Sequence, residues 1–130
     1  MRLMTRWGVE SSRRGEVLEK LVSARFIDDK RYASAYVREK SSLSGWGIYK
    51  IRAGLALKGI SREIIDRVTE QITPEFAGEK LAELLTRKMR TTKAASAYEL
   101  RGKLMRYGLS RGFGYEEVSD AVEKLVKAEE

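Results

Sequence analysis

The chain has no cysteine, no histidine and a single proline, Pro74, in 130 residues. Without cysteine there are no disulfides, no thiolate metal ligands and no thiol nucleophile. Without histidine every triad built on an imidazole base is excluded, along with the side chain that most readily moves protons near neutral pH. What remains for metal chemistry is a carboxylate-held Mg²⁺. Long apolar runs are also missing. The longest stretch free of charge, Ser41 to Tyr49, is nine residues, whereas a membrane span needs about 20. The opening MRLMTRWGVE lacks the apolar core of a secretory leader. These absences lead us to expect a non-enzymatic, cytoplasmic chain that binds no cofactor, no metal and no membrane, folded as one domain.

Positive charge is what the sequence has in excess. Twenty-six Lys and Arg stand against nineteen Asp and Glu, a net +7, which favours polyanions and acidic protein surfaces as partners. The excess is concentrated. Between Arg87 and Arg111 the basic residues Arg87, Lys88, Arg90, Lys93, Arg101, Lys103, Arg106 and Arg111 face Glu99 alone. The tail from Phe113 to Glu130 has the opposite sign, with six acids against Lys124 and Lys127.

Apolar spacing is helical nearly throughout. Asp28 and Asp29 suit an N-cap for a helix carrying Tyr32, Ala33, Tyr36 and Val37. Ile48, Ile51 and Leu55 form the next stripe, closed by Gly59. Ser61 caps a helix with Ile64, Ile65, Val68 and Ile72. Thr73-Pro74-Glu75 places a cap, a proline at the first helical position and an acid in the first turn. That helix carries Ala77, Leu81, Leu84, Leu85 and Met89. Ser96 and Glu99 have capping-box spacing before Leu100, Leu104, Tyr107 and a corner at Gly108. The last helix presents Val118, Val122, Leu125 and Val126. No segment alternates with period two, so the fold class is all-α.

The helices repeat. Ile51-Arg52, Leu55 and Gly59-Ile60-Ser61 match Leu100-Arg101, Leu104 and Gly108-Leu109-Ser110, and Met4, Trp7, Gly8 and Val9 give a fainter first copy. Tandem three-helix units of about 50 residues would stack into an elongated, curved arrangement with an extended face for binding. The boundaries expected are 1–27 for a truncated first unit, 28–72 for the second and 73–130 for the third.

Two segments, Arg25-Phe26-Ile27-Asp28-Asp29-Lys30-Arg31-Tyr32-Ala33 through Tyr36-Val37-Arg38, and Ile51-Arg52-Ala53-Gly54-Leu55-Ala56-Leu57-Lys58-Gly59-Ile60-Ser61, resemble signature segments of the RecX regulatory proteins. Leu100-Arg101-Gly102-Lys103-Leu104 with Gly112-Phe113-Gly114-Tyr115-Glu116 resembles that family's final repeat. The resemblance implies tandem three-helix units in an elongated curved molecule. It implies binding to RecA in the groove of its filament on single-stranded DNA, inhibition of ATP hydrolysis and strand exchange, and a place in recombination, repair and the SOS response. Some members also bind DNA directly. Relative to the family pattern, the chain starts inside the middle helix of the first unit.

The family has no fixed catalytic residues to carry over, so contact residues are argued from charge. Lys103 and Arg106 fall about 60° apart at 100° per residue on one side of the Leu100–Leu104–Tyr107 stripe, with Arg101 flanking its other edge. Lys88, Arg90, Lys93 and Arg111 extend this cluster; Arg52 and Lys58, with Lys50 and Arg62, offer a weaker copy one unit earlier. All of these are candidate contacts for RecA or for single- or double-stranded DNA by a monomer. Asp28 and Asp29 are too few for a two-metal nuclease site and read better as helix caps. Tyr32, Tyr36, Trp7, Tyr107 and Phe113 read as core, and Trp46, between two glycines, as the most exposed aromatic. The alternative function is a helical-repeat protein holding DNA phosphates on the same basic face, and its affinity would fall more steeply with salt than that of a protein interface.

Overall fold

The computed structural model describes residues 10–129, with side chains from 15 to 128. Six helices and no strand occur among the described residues: α1 (Glu10–Ser42), α2 (Ile48–Leu57), α3 (Arg62–Thr69), α4 (Pro74–Thr91), α5 (Ala97–Ser110) and α6 (Tyr115–Glu129). None is long and apolar enough to cross a membrane. The faint first copy around Trp7 and Gly8 lies outside the described residues. By its internal contacts the chain divides into two units, one through Tyr32 and one from Ala33 onward.

The described part of the first unit is the N-terminal portion of α1. Its Val17, Leu18, Leu21, Val22 and Ile27 are exposed. Asp28 and Asp29 do not cap a helix here, because α1 is continuous over 33 residues, Glu10–Ser42. A cap needs non-helical backbone. From Glu16 to Ser44 the sequence has neither glycine nor proline to break the turn, and helical periodicity carries straight through.

The second unit contains two three-helix groups. In the first, the C-terminal part of α1 lies on α2: a Cβ added to Gly54 would meet the Tyr36 hydroxyl at 2.1 Å, so only glycine lets the ring down. Ala33, Tyr36, Val37, Ile51, Leu55, Ile60, Ile64, Ile65 and Val68 are buried. Ser61 caps α3, accepting from the Ile64 N–H at 3.3 Å. In the second group α4, α5 and α6 pack on one another around Leu81, Leu85, Leu104, Phe113, Val118, Val122 and Val126. Thr73 caps α4 by accepting from the Phe76 N–H at 3.1 Å, with Pro74 in its first turn.

The two groups end their middle helices alike, though not where the sequence match suggests. After α2, Gly59 adopts φ +80°, and the Ile60 N–H donates back to the Leu55 carbonyl at 3.1 Å. After α5, Gly112 adopts φ +96°, and the Phe113 N–H donates to the Gly108 carbonyl at 3.3 Å. Both are left-handed glycine C-caps followed by a buried apolar residue. Gly108, expected as the corner, is instead inside α5 and buried. An added Cβ there would sit 2.6 Å from Val118 Cγ1, so its role is close approach to α6. The helix runs about one turn beyond the residue that matches Gly59, and a full turn keeps the apolar stripe in phase. Buried Ile51 and Leu55 therefore correspond to buried Leu104 and Gly108.

The groups are joined backbone to backbone. Gly47, the N-cap of α2, has no side chain to cap with; its N–H donates to the Arg111 carbonyl at 2.6 Å, and the Tyr49 N–H donates to the Gly112 carbonyl at 3.0 Å. The Arg111 guanidinium donates to the Ser44 carbonyl. A Cβ on Gly47 would lie 2.4 Å from the Gly112 carbonyl carbon, and one on Gly112 would lie 2.4 Å from Lys50 Cβ.

Two substitutions separate strain from crowding. A Cβ added at Gly59 meets nothing within 4 Å, so Gly59→Ala loses only the left-handed backbone preference, about 1–2 kcal/mol. Gly112→Ala adds a clash at the junction to the same strain and should cost more, lowering the melting temperature by about 10 °C or further. Thermal unfolding followed by circular dichroism checks both; a smaller loss at Gly112 than at Gly59 would contradict the junction.

Candidate binding surface

The cap of α5 organises the most basic surface. The Glu99 N–H donates to Ser96 Oγ at 3.1 Å, as the capping-box spacing predicts. The returning carboxylate accepts not from Ser96 but from the Ala95 N–H, at 3.1 Å from Oε2. Its other oxygen pairs with the Lys103 ammonium one turn on, at 3.1 Å. The Ala95 hydrogen bond, then the hydrogen bond and charge of Lys103, hold the Glu99 carboxyl below its ordinary value. Lys103 Nζ also donates to the Lys93 carbonyl at 2.6 Å, tying the α4–α5 connection to α5.

Beside this cap, the end of α4 and the outer face of α5 form an open groove of about 530 Å³. Lys88, Lys93, Lys103 and Arg106 converge on it, around Tyr107. The Lys88 ammonium sits 5.1 Å from the centre of the Tyr107 ring, an attraction worth about 0.5–1 kcal/mol at an exposed site. Thr91, Thr92 and Ser110 bring hydroxyls to the same lining, a contribution that the charge pattern did not reveal. The ammonium and guanidinium donors suit phosphate or carboxylate oxygens, while the three hydroxyls donate to helix carbonyls, those of Thr91 and Thr92 to Lys88 and that of Ser110 to Tyr107.

The other expected contacts are placed elsewhere. Arg90 is exposed on the last turn of α4, outside that lining. Arg101 turns to α6 and pairs with Glu123 at 2.8 Å. Arg111 is part of the junction described above. Arg52 pairs with Asp66 at 2.6 Å and donates to Thr69 Oγ1 at 3.2 Å, while lining a separate groove with Arg62, Ala56 and Ile65. Lys58 lies 6.0 Å from the centre of the Tyr36 ring. Four of the nine candidates thus share one groove. Trp46, expected to be the most exposed aromatic, is half-buried under two lysine ammoniums, whereas Tyr49 and Tyr98 are open to solvent. The signal was present in the spacing, since Lys40 and Lys50 flank Trp46 on the two helices that its loop connects.

Two three-helix groups with the same glycine corner, a shared backbone junction and a cation-lined groove define an α-helical repeat protein. The family models for the second and third three-helix domains of RecX match residues 28–68 and 78–122. A protein named Regulatory protein RecX from Clostridium botulinum (strain Eklund 17B / Type B) is 33% identical over 106 residues, 80% of this chain and 49% of that protein. One of the same name from Bacillus mycoides (strain KBAB4) is 30% identical over 110 residues, 85% of this chain and 41% of its own length. The crystal structure of RecX from Lactobacillus salivarius superposes with a TM-score of 0.73 at 27% identity, covering 85% of this chain and 72% of that one. The chain belongs to the RecX family. It spans about half the length of the curated relatives it matches.

The depressed Glu99 carboxyl has a pH consequence. A group whose folded pKa lies below its unfolded one stabilises the fold above the unfolded value and loses that contribution as pH falls through the folded value. Acidification below the ordinary carboxylate range should therefore loosen the start of α5 and release Lys103. The protection of the Ala95 and Glu99 amides, measured as exchange relative to the intrinsic rate at each pH, should fall there in the parent and stay constant in Glu99→Gln over the same range.

Proposed function

We propose that this chain is a non-enzymatic regulator of RecA. It binds the recombinase or its nucleoprotein filament and restrains ATP hydrolysis and strand exchange, modulating recombination and repair. Residues 28–72 and 73–130 serve as its second and third repeats, and it works as a cytoplasmic monomer lying in the filament groove. The observation that carries the reading is the convergence of Lys88, Lys93, Lys103 and Arg106 on one groove in a chain of the RecX family. Such a groove fits acidic residues of a protein partner, with Tyr107 as an apolar anchor among them. The same donors would hold a DNA phosphate backbone, and that second reading differs in its salt dependence.

The test is ATP hydrolysis by RecA on single-stranded DNA with the chain added below one per RecA monomer. Inhibition at amounts too small to coat the DNA is expected. Lys103→Glu with Arg106→Glu should need about tenfold more protein for the same inhibition while still melting cooperatively, at a somewhat lower temperature because the Lys103 bonds to Glu99 and to the Lys93 carbonyl are lost. A folded double variant of full potency would remove the interface from this groove. A parent that leaves hydrolysis untouched yet binds DNA with steep salt dependence would favour the phosphate-holding reading.

A further inference from the structure

Outside that groove, the junction of α2 with the α5–α6 corner leaves an open slot of the opposite sign. The Tyr49 N–H bond to the Gly112 carbonyl, at 3.0 Å, fixes Tyr49 against the corner. Two residues further on, the Gly114 carbonyl accepts from the Val118 N–H at 2.9 Å and opens α6. A Cβ added to Gly114 would lie 3.3 Å from Tyr49 Cε2 and 3.2 Å from Glu117 Oε1. The space that a side chain would fill is therefore walled by an aromatic carbon and a carboxylate oxygen. Gly114 is not one of the left-handed glycines, which are Gly45, Gly59 and Gly112. Its backbone conformation does not call for glycine; what its small size provides is the open space.

A group entering this slot meets carbon on one side and, within hydrogen-bond distance, a carboxylate oxygen on the other. Glu117 forms no ion pair among the described residues. Tyr49 is 63% exposed and Tyr115, next to Gly114 in the chain, 67%. The partial positive charge at the α6 N-terminus, about half a unit, opposes a cation here. Glu116 and Glu117 in the same turn outweigh it with two full negative charges. The Lys50 ammonium, adjacent in sequence to Tyr49, is turned to the Trp46 ring and lies 4.6 Å from its centre. The acidic stretch from Phe113 onward adds to the negative field. A donor that carries positive charge on an apolar stem is what such a place holds.

We infer that Tyr49, Gly114 and Glu117 form a docking slot for an arginine side chain of a protein partner. Its guanidinium is held on the Glu117 carboxylate and its methylene stem lies against the Tyr49 ring. Arginine fits better than lysine: a flat guanidinium passes over a glycine and offers two parallel N–H donors, whereas an ammonium is compact and strongly hydrated. None of the three residues lines the basic groove. The slot is thus a second surface, for a partner segment of the opposite charge, and it does not rest on the regulatory reading.

The test uses the whole chain, isotopically labelled for amide NMR and without RecA. The probe is the peptide acetyl-Gly-Gly-Arg-Gly-Gly-amide, compared with the same peptide carrying lysine or citrulline, a neutral mimic of the arginine shape. At millimolar concentration the arginine peptide should shift the amides of Tyr49 and of Gly114 to Glu117, the lysine peptide less, and the citrulline peptide not at all. Glu117→Gln should lower the initial slope of those shifts about tenfold, and Tyr49→Ser about threefold. Gly114→Ala fills the slot without left-handed strain and should abolish them. The assignment is overturned by no shift from the arginine peptide, by equal shifts from citrulline, or by shifts centred on other acids such as Glu75 and Glu79. Parent slopes in Glu117→Gln would overturn it too. If Gly114→Ala does not melt cooperatively, Glu117→Gln decides, since its side chain is exposed.

Discussion

The fold turns on a place where the two ends of different helices meet without side chains. At its C-terminus α5 has spare carbonyls, and at its N-terminus α2 has spare N–H groups. The Arg111 and Gly112 carbonyls accept from Gly47 and Tyr49, so each end satisfies the other. The dipoles also agree, since the negative end of one helix faces the positive end of another. Each bond is worth about 0.5–1.5 kcal/mol net, but leaving such groups buried and unpaired would cost more. The contact is close enough that Gly47 and Gly112 exclude a Cβ on either side. The Arg111 side chain, reaching back to the Ser44 carbonyl, closes the same junction.

That junction decides what the basic residues are available for. Arg111 is drawn into holding the groups together and Arg101 into holding α5 to α6 through Glu123. A partly exposed ion pair such as Arg101–Glu123 contributes little stability, about 0–1 kcal/mol, yet both contacts orient the side chain away from a partner. Lys88, Lys93, Lys103 and Arg106 are left facing one groove. Lys103 is held there by Glu99 and the Lys93 carbonyl, so part of the ordering entropy of binding is already spent. Charge count alone treats all these residues as equal; the packing sorts them.

The helices were readable because capping is local chemistry. Ser61, Thr73 and Ser96 each cap the helix that follows, as their spacing implied. The all-α repeat architecture and the RecX resemblance, carried by residues such as Arg25 to Ala33 and Ile51 to Ser61, agree with the family comparison. Where the local reading misled, either the helix simply ran on or a neighbouring helix had the last word. Asp28 and Asp29 have the right oxygens for a cap, but nothing around them breaks the helix. Gly108 looks like a corner by its match to Gly59, yet the turn comes at Gly112, because Gly108 is needed small where α5 passes Val118. Trp46 between two glycines looked exposed, but lysines from the adjoining helices fold over it.

By itself, then, the sequence determined the class of fold, the starts of α3, α4 and α5, the absence of imidazole and thiol chemistry, and a concentration of positive charge between Arg87 and Arg111. All of these depend on residue type and on neighbours within a turn or so. Only the tertiary structure decided which cations meet, which are tied to a carboxylate or a carbonyl, and which glycine is a corner and which a point of contact. Those outcomes depend on helices that are distant in sequence, and on backbone atoms that every residue shares and no residue type announces.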